Sequence, residues 1–130
     1  MSVPEGSVGK GKKKLVLIVD DQIRVVKMTA DILEEAGFDT TGATSGRQAL
    51  ELLVNKQPDI MLLDIVMPDM NGLEVLSQLR AFSQIPVIAT SFDLSVRSRS
   101  FSSGADTFLA KPFKPEDLVR KIEGLLNREP

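Results

Sequence analysis

The chain has 130 residues, 42% of them apolar and 26% charged, with a formal net charge of −2, which suits one domain built on one core. No apolar run approaches the ~18–20 residues of a bilayer crossing, and Met1–Gly9 lacks the apolar centre of a secretory signal. Cysteine and histidine are both absent, so chemistry in this chain falls to carboxylates, hydroxyls, lysine and backbone.

The lack of cysteine fits a reducing cytoplasm. The lack of tyrosine and tryptophan argues against a nucleic-acid stacking platform, although six phenylalanines remain. Charge is unevenly spread. Lys10, Lys12, Lys13 and Lys14 face only Glu5 in residues 1–14, which read as a disordered, solvated basic tail. From Leu15 onward the balance is acidic, and residues 15–130 read as the folded domain.

Apolar runs then alternate with amphipathic stretches. Leu15–Val19 is a continuous β-branched run, the pattern of a strand buried on both faces. Ile23–Ala36 has helical spacing through Ile23, Val26, Ala30 and Leu33, and Gly37 stops it. Thr40–Ala43 is a weaker strand. Arg47–Asn55 is helical, with Ala49, Leu52 and Leu53 on one face. Ile60–Leu63 is a second buried strand, and Asn71-Gly72 punctuates the loop before the helix Leu73–Phe82. Pro86 opens the strand Val87–Thr90. Asp93–Ser103 is serine-rich and makes a poor helix. Thr107–Ala110 is the fifth strand, and Pro115–Asn127 the last helix. Five strands alternating with five helices imply βαβ units and a parallel sheet covered on both faces.

In such sheets, ligands bind beyond the carboxyl ends of the strands. Four of the five strand ends deliver polar groups there: Asp20-Asp21, Asp64, Ser91 and Lys111. Each alone is commonly a cap, a turn or a solvated loop residue; together they place three carboxylates, a hydroxyl and an ammonium in one crevice. Clustered carboxylates need a cation, and oxygen-only donors favour Mg²⁺ or Mn²⁺ over zinc. An aspartate is already ionised at neutral pH and needs no base to act as a nucleophile. A metal, an ammonium and a hydroxyl would relieve its repulsion from an incoming phosphoryl group.

Leu17-Ile18-Val19-Asp20-Asp21, the run Leu62–Gly72 around Asp64, Pro86-Val87-Ile88, Gly104-Ala105-Asp106 and Lys111-Pro112-Phe113 resemble the receiver domains of two-component response regulators. The resemblance spans Leu15 to Asn127. It implies a flavodoxin-like, doubly wound five-stranded α/β fold with five helices and strand order 2-1-3-4-5. It implies that Asp64 accepts a phosphoryl group from a sensor histidine kinase or a histidine phosphotransfer protein. Asp21, Asp64 and the carbonyl of Val66 would hold Mg²⁺, with Asp20 acting directly or through water. Lys111 would pair with Asp64 and then with the phosphoryl group, Ser91 and Phe108 would be the switch residues, and Lys111-Pro112 would be cis. Thr90 is a second candidate for the switch hydroxyl. Two departures bear on the fourth helix: the span from Ser91 to Gly104 is about two residues shorter than usual, and Phe92 stands where small residues prevail.

The resemblance further implies a self-directed catalyst, not a conventional enzyme, with an unspecified downstream output partner, no membrane and no direct nucleic-acid contact. An aspartyl phosphatase would place a second Asp two residues after the nucleophile, where this chain has Val66. A flavodoxin-like cofactor carrier lacks its phosphate loop and stacking Trp or Tyr, and a degenerate scaffold would have lost an acidic residue or Lys111. The chain stops just past the fifth helix, as expected of a stand-alone receiver or of a piece of a larger regulator.

Overall fold

The computed structural model describes residues 13–68 and 71–127, so most of the basic tail lies outside the described residues. The elements follow in the order β1 Leu15–Val19, α1 Ile23–Glu35, β2 Asp39–Ala43, α2 Gly46–Lys56, β3 Ile60–Asp64 and α3 Gly72–Arg80. Then come β4 Val87–Ser91, a 3-10 turn Leu94–Val96, α4 Arg97–Ser102, β5 Thr107–Ala110 and α5 Pro115–Leu126. All strands are parallel, in the order β2-β1-β3-β4-β5. This is the fold class and strand order that the resemblance implies.

Local chemistry sets the helix ends. Ser45 Oγ accepts from the Gln48 N–H at 3.2 Å while the Gln48 side chain accepts from the Thr44 N–H at 2.9 Å, a reciprocal cap that starts α2. Asn71 Oδ1 accepts from the Leu73 N–H at 2.8 Å and starts α3. Pro115 opens α5, with Glu116 and Asp117 in the first turn, where the helix dipole favours negative charge. Gly37, at φ 101°, turns the chain out of α1.

Alternation along the buried strands divides the core into two layers. Leu17, Val19, Leu63, Ala89 and Phe108 pack with Ala49, Leu53, Val75, Leu76, Leu79 and Val96, beneath α2, α3 and the segment leading into α4. Val16, Ile18, Leu62, Ile88 and Leu109 pack with Val26, Leu33, Leu118, Ile122 and Leu125, beneath α1 and α5. β3 and β4 are buried along their whole length, including the polar residues Asp64, Thr90 and Ser91 at their carboxyl ends.

The structure moves several expected boundaries. Asp64 and Ser91 are the last residues of their strands and not the first residues beyond them. The ladder runs on because Ile65 N–H donates to the Thr90 carbonyl and Lys111 N–H to that of Ser91, each at 3.0 Å. The helix expected over Leu73–Phe82 begins at Gly72 and ends at Arg80. The poor helix expected over Asp93–Ser103 divides into a 3-10 turn and a helix of six residues. Serine competition explains the break: Asp93 Oδ1 accepts from the Ser95 N–H at 2.9 Å, and the Ser100 hydroxyl donates back to the Val96 carbonyl at 2.7 Å. Lys111-Pro112 is cis, as the resemblance implies.

Candidate functional site

The carboxyl ends of β1 and β3 bring Asp20, Asp21 and Asp64 together, with one oxygen from each inside a 4.8 Å span. Asp20 and Asp64 are buried, and Asp21 is partly exposed. Lys111, just past β5, crosses to this cluster. Its ammonium donates to Asp20 Oδ2 at 2.7 Å and stands 3.7 Å from Asp64 Oδ2. The resemblance pairs Lys111 with Asp64; here its shorter contact is with Asp20. Asp20 is well placed to hold it, because its other oxygen accepts the Gln22 N–H at 3.0 Å and fixes the carboxylate.

Burial pushes the Asp64 carboxyl from 3.8 up to about 6. Lys111 opposes this rise, Asp20 and Asp21 add to it through charge repulsion, and the Val66 backbone N–H opposes it by hydrogen bonding. Asp64 is therefore mostly ionised at neutral pH, yet readily neutralised. Three carboxylates without nitrogen or sulfur donors suit a hard divalent cation, and their convergence fits Mg²⁺ or Mn²⁺. Val66 lies two residues past the end of β3 and is 57% exposed, so it does not bury a competing apolar group in the cluster.

The loop after β3 is held by a glycine contact that the Asn71-Gly72 signal only hinted at. Gly72 N–H donates to the Ile65 carbonyl at 2.7 Å. A Cβ on Gly72 would lie 2.6 Å from Ile65 Cα and 2.7 Å from the Asp64 carbonyl oxygen. Only glycine lets α3 start this close to the carboxyl end of β3.

Thr90 and Ser91 are both buried at the end of β4. Thr90 lies opposite Asp64 in the sheet register, and Ser91 stands one residue nearer the edge, opposite Ala110. Ser91 Oγ accepts from the Asp93 N–H at 2.9 Å, which leaves its own proton free to be donated elsewhere. Phe108 is 8% exposed and packs in the core with Val96 and Ala105. Phe108 is thus buried in this structure.

Two arrangements were not read from the sequence. Arg80, at the end of α3, donates to the carbonyls of Ser83, Ile85 and Gly104 at 2.8–3.1 Å and to Asp106 Oδ2 at 3.2 Å. Asp106 also accepts from the Val87 N–H at 2.8 Å. The Gly104-Ala105-Asp106 motif is therefore one half of a clasp, although nothing in the motif names its arginine. The second is Phe92, whose ring centroid lies 5.5 Å from the Lys111 ammonium.

Comparison with known proteins agrees with this architecture. The family model "Response regulator receiver domain" matches residues 16–123. The chain is 36% identical over 118 residues to the DNA-binding response regulator MtrA of Mycobacterium tuberculosis (strain ATCC 25618 / H37Rv), covering 89% of this chain and 52% of that protein. It is 35% identical over 115 residues to the transcriptional regulatory protein SrrA of Staphylococcus aureus (strain NCTC 8325 / PS 47), covering 87% of this chain and 48% of that protein. The chain thus spans about half the length of these relatives. A CheY-like receiver domain protein of Methanospirillum hungatei JF-1 superposes with a TM-score of 0.84 at 31% identity, over 90% of this chain and 96% of that one. The chemotaxis response regulator CheY4 of Vibrio cholerae superposes with a TM-score of 0.82 at 30% identity, over 88% of this chain and all of that one (100%). With the family model matched over residues 16–123 and receiver domains superposing on the whole parallel sheet, this chain belongs to the receiver-domain family of two-component response regulators.

Proposed function

We propose that Asp64 accepts a phosphoryl group from the phosphohistidine of a sensor kinase or a histidine phosphotransfer protein, and that the modified domain controls an output partner. The observation that carries this is the convergence of Asp20, Asp21 and Asp64 with Lys111 reaching into them. An Asp64 oxygen attacks phosphorus, and the phosphorus–nitrogen bond breaks with its electron pair returning to the donor imidazole. Asp20, Asp21, Asp64 and the Val66 carbonyl are the groups that would hold Mg²⁺, which when bound offsets negative charge on the carboxylates and the transferred group. Lys111 then shifts from Asp20 toward the new phosphoryl oxygens, a move that its 3.7 Å separation from Asp64 keeps short. Ser91 donates its free hydroxyl proton to a phosphoryl oxygen, a charge-assisted hydrogen bond.

Catalysis is thereby directed at the domain itself. Moving Ser91 withdraws the acceptor from the Asp93 N–H and so disturbs the entrance to α4. The packing of Phe108 with Val96 carries that change along β5. Similarity to regulators described as DNA-binding and transcriptional supports an output step in a partner domain or protein, with this domain as its control element.

The deciding experiment measures intact mass after treatment with acetyl phosphate and Mg²⁺. Addition of one acid-stable, base-labile phosphoryl group, lost in Asp64→Asn with the fold retained, is the expected result. Undiminished labelling of Asp64→Asn overturns the assignment.

A further inference from the structure

Among the described residues Phe92 is the most exposed of the large apolar ones, at 72%, yet its ring is not idle. It stands 5.5 Å from the Lys111 ammonium, whose other near neighbours are Asp20 at 2.7 Å and Asp64 at 3.7 Å. The Lys111 side chain is only 11% exposed even though it sits at the open edge of the sheet. The backbone on the carboxyl side of Phe92 is tied down: Ser91 Oγ accepts from the Asp93 N–H, and Asp93 Oδ1 accepts from both the Ser95 N–H and the Ser95 hydroxyl. An aromatic ring held by such turns over a buried ammonium is a built contact.

We propose that Phe92 is a positioning residue that caps Lys111 at the mouth of the site and slows the loss of the phosphoryl group to water. This rests on the reading of Asp64 as the phosphoacceptor. In hydrolysis, water oxygen bonds to phosphorus and the bond from phosphorus to the Asp64 carboxylate oxygen breaks. The electron pair returns to the carboxylate, and both water protons leave on dihydrogen phosphate. An ammonium paired with the phosphoryl oxygens resists this better when its outer side faces a π-surface instead of solvent, because the ion pair is less screened and its geometry is held. Asp20 and the phosphoryl group then compete for an ammonium whose third side is already covered.

The test uses the whole chain and the variants Phe92→Ala, Phe92→Leu and Phe92→Tyr. The first readout needs neither metal nor phosphate: NMR of the Lys111 Hε protons. A ring-current displacement present in the wild type and Phe92→Tyr, and absent in Phe92→Ala and Phe92→Leu, is expected. The second is the decay of the acyl phosphate formed with acetyl phosphate and Mg²⁺. A contact of about 0.5–1 kcal/mol corresponds to roughly a two- to fivefold change, so Phe92→Ala should lose phosphate about that much faster and Phe92→Tyr at the wild-type rate. Melting temperature should not move, since the ring is largely outside the core. Equal decay rates in wild type and Phe92→Ala overturn the proposal while leaving Asp64 as acceptor. Failure of the wild type to form any acyl phosphate overturns the phosphoacceptor reading, and the proposed cap with it.

Discussion

Lys111 donates to Asp20 at 2.7 Å across the mouth of the sheet, joining the residue after β1 to the residue after β5. That contact divides the three carboxylates by role. Asp20 already accepts Lys111 and the Gln22 N–H, whereas no hydrogen bond to the Asp21 side chain is found among the described residues. Asp21→Ala should therefore weaken Mg²⁺ binding more than Asp20→Ala. The chain has no tryptophan, so calorimetry or NMR titration is the measurement, and equal or reversed effects would undo the division.

The raised carboxyl of Asp64 makes a prediction about stability in the absence of metal. Between 3.8 and about 6 the folded state holds a proton on Asp64 that the unfolded chain has given up. Stability from this group is therefore complete below 3.8 and is lost as pH rises through about 6. Asp64→Asn, neutral at every pH, should be more stable than the wild type at pH 7 by about 1–3 kcal/mol. The difference should shrink as pH falls toward 4. Denaturant melts of both proteins across this range would measure it, and a constant difference would contradict the assignment of the shift to Asp64.

Gly72→Ala should cost about 2–3 kcal/mol, the scale of overpacking against atoms that cannot yield. The obstructing atoms are backbone of Asp64 and Ile65, so relief must come from displacing the end of β3. Urea unfolding gives the loss. A variant as stable as the wild type would mean that α3 shifts freely there.

Arg80→Ala should destabilise by about 2–4 kcal/mol, since it strips charge-assisted hydrogen bonds from three backbone carbonyls at once. Arg80→Lys should recover little, because an ammonium cannot reproduce the planar fork that spans Ser83, Ile85 and Gly104. Full rescue by lysine, read from the same urea curves, would show that charge alone suffices.

The segment Asp93–Ser103 should exchange its amide hydrogens faster than any other helical part of the domain and gain protection when Asp64 carries an acyl-phosphate mimic. Its helix is six residues long, only Val96 and Ser100 are buried along it, and Leu94 and Phe101 face outward. Strong protection before modification, unchanged afterwards, would oppose the proposed switch.

Much of this was legible from residues alone. The unbroken apolar runs of Leu15–Val19 and Ile60–Leu63 signalled strands buried on both faces, and the parallel order then forced Asp20, Asp21, Asp64 and Lys111 onto one edge. Partner choice within that edge was not legible. Lys111 prefers Asp20 because Gln22 N–H orients that carboxylate, a matter of ångströms that spacing does not encode. The Arg80 clasp was also invisible, since it joins the end of α3 to a turn 24 residues later through carbonyls that any residue supplies. Strand ends were misjudged at Asp64 and Ser91 because polar side chains read as loop, while their backbones still belong to the ladder.

The two layers of the core give the order of residues in β4 a further meaning. Ala89 faces the layer of α2, α3 and α4, and Ile88 faces the layer of α1 and α5. By alternation, Ser91 shares the side of Ala89, and Thr90 shares the side of Ile88. The sheet is thus a divider with a β4 hydroxyl on each side of it, and parity alone decides which half of the molecule each hydroxyl faces. On the proposed reading, a signal taken up at Ser91 would reach the side of α4 and leave the packing of α1 against α5 untouched; moved one residue back, the same hydroxyl would address the opposite wall.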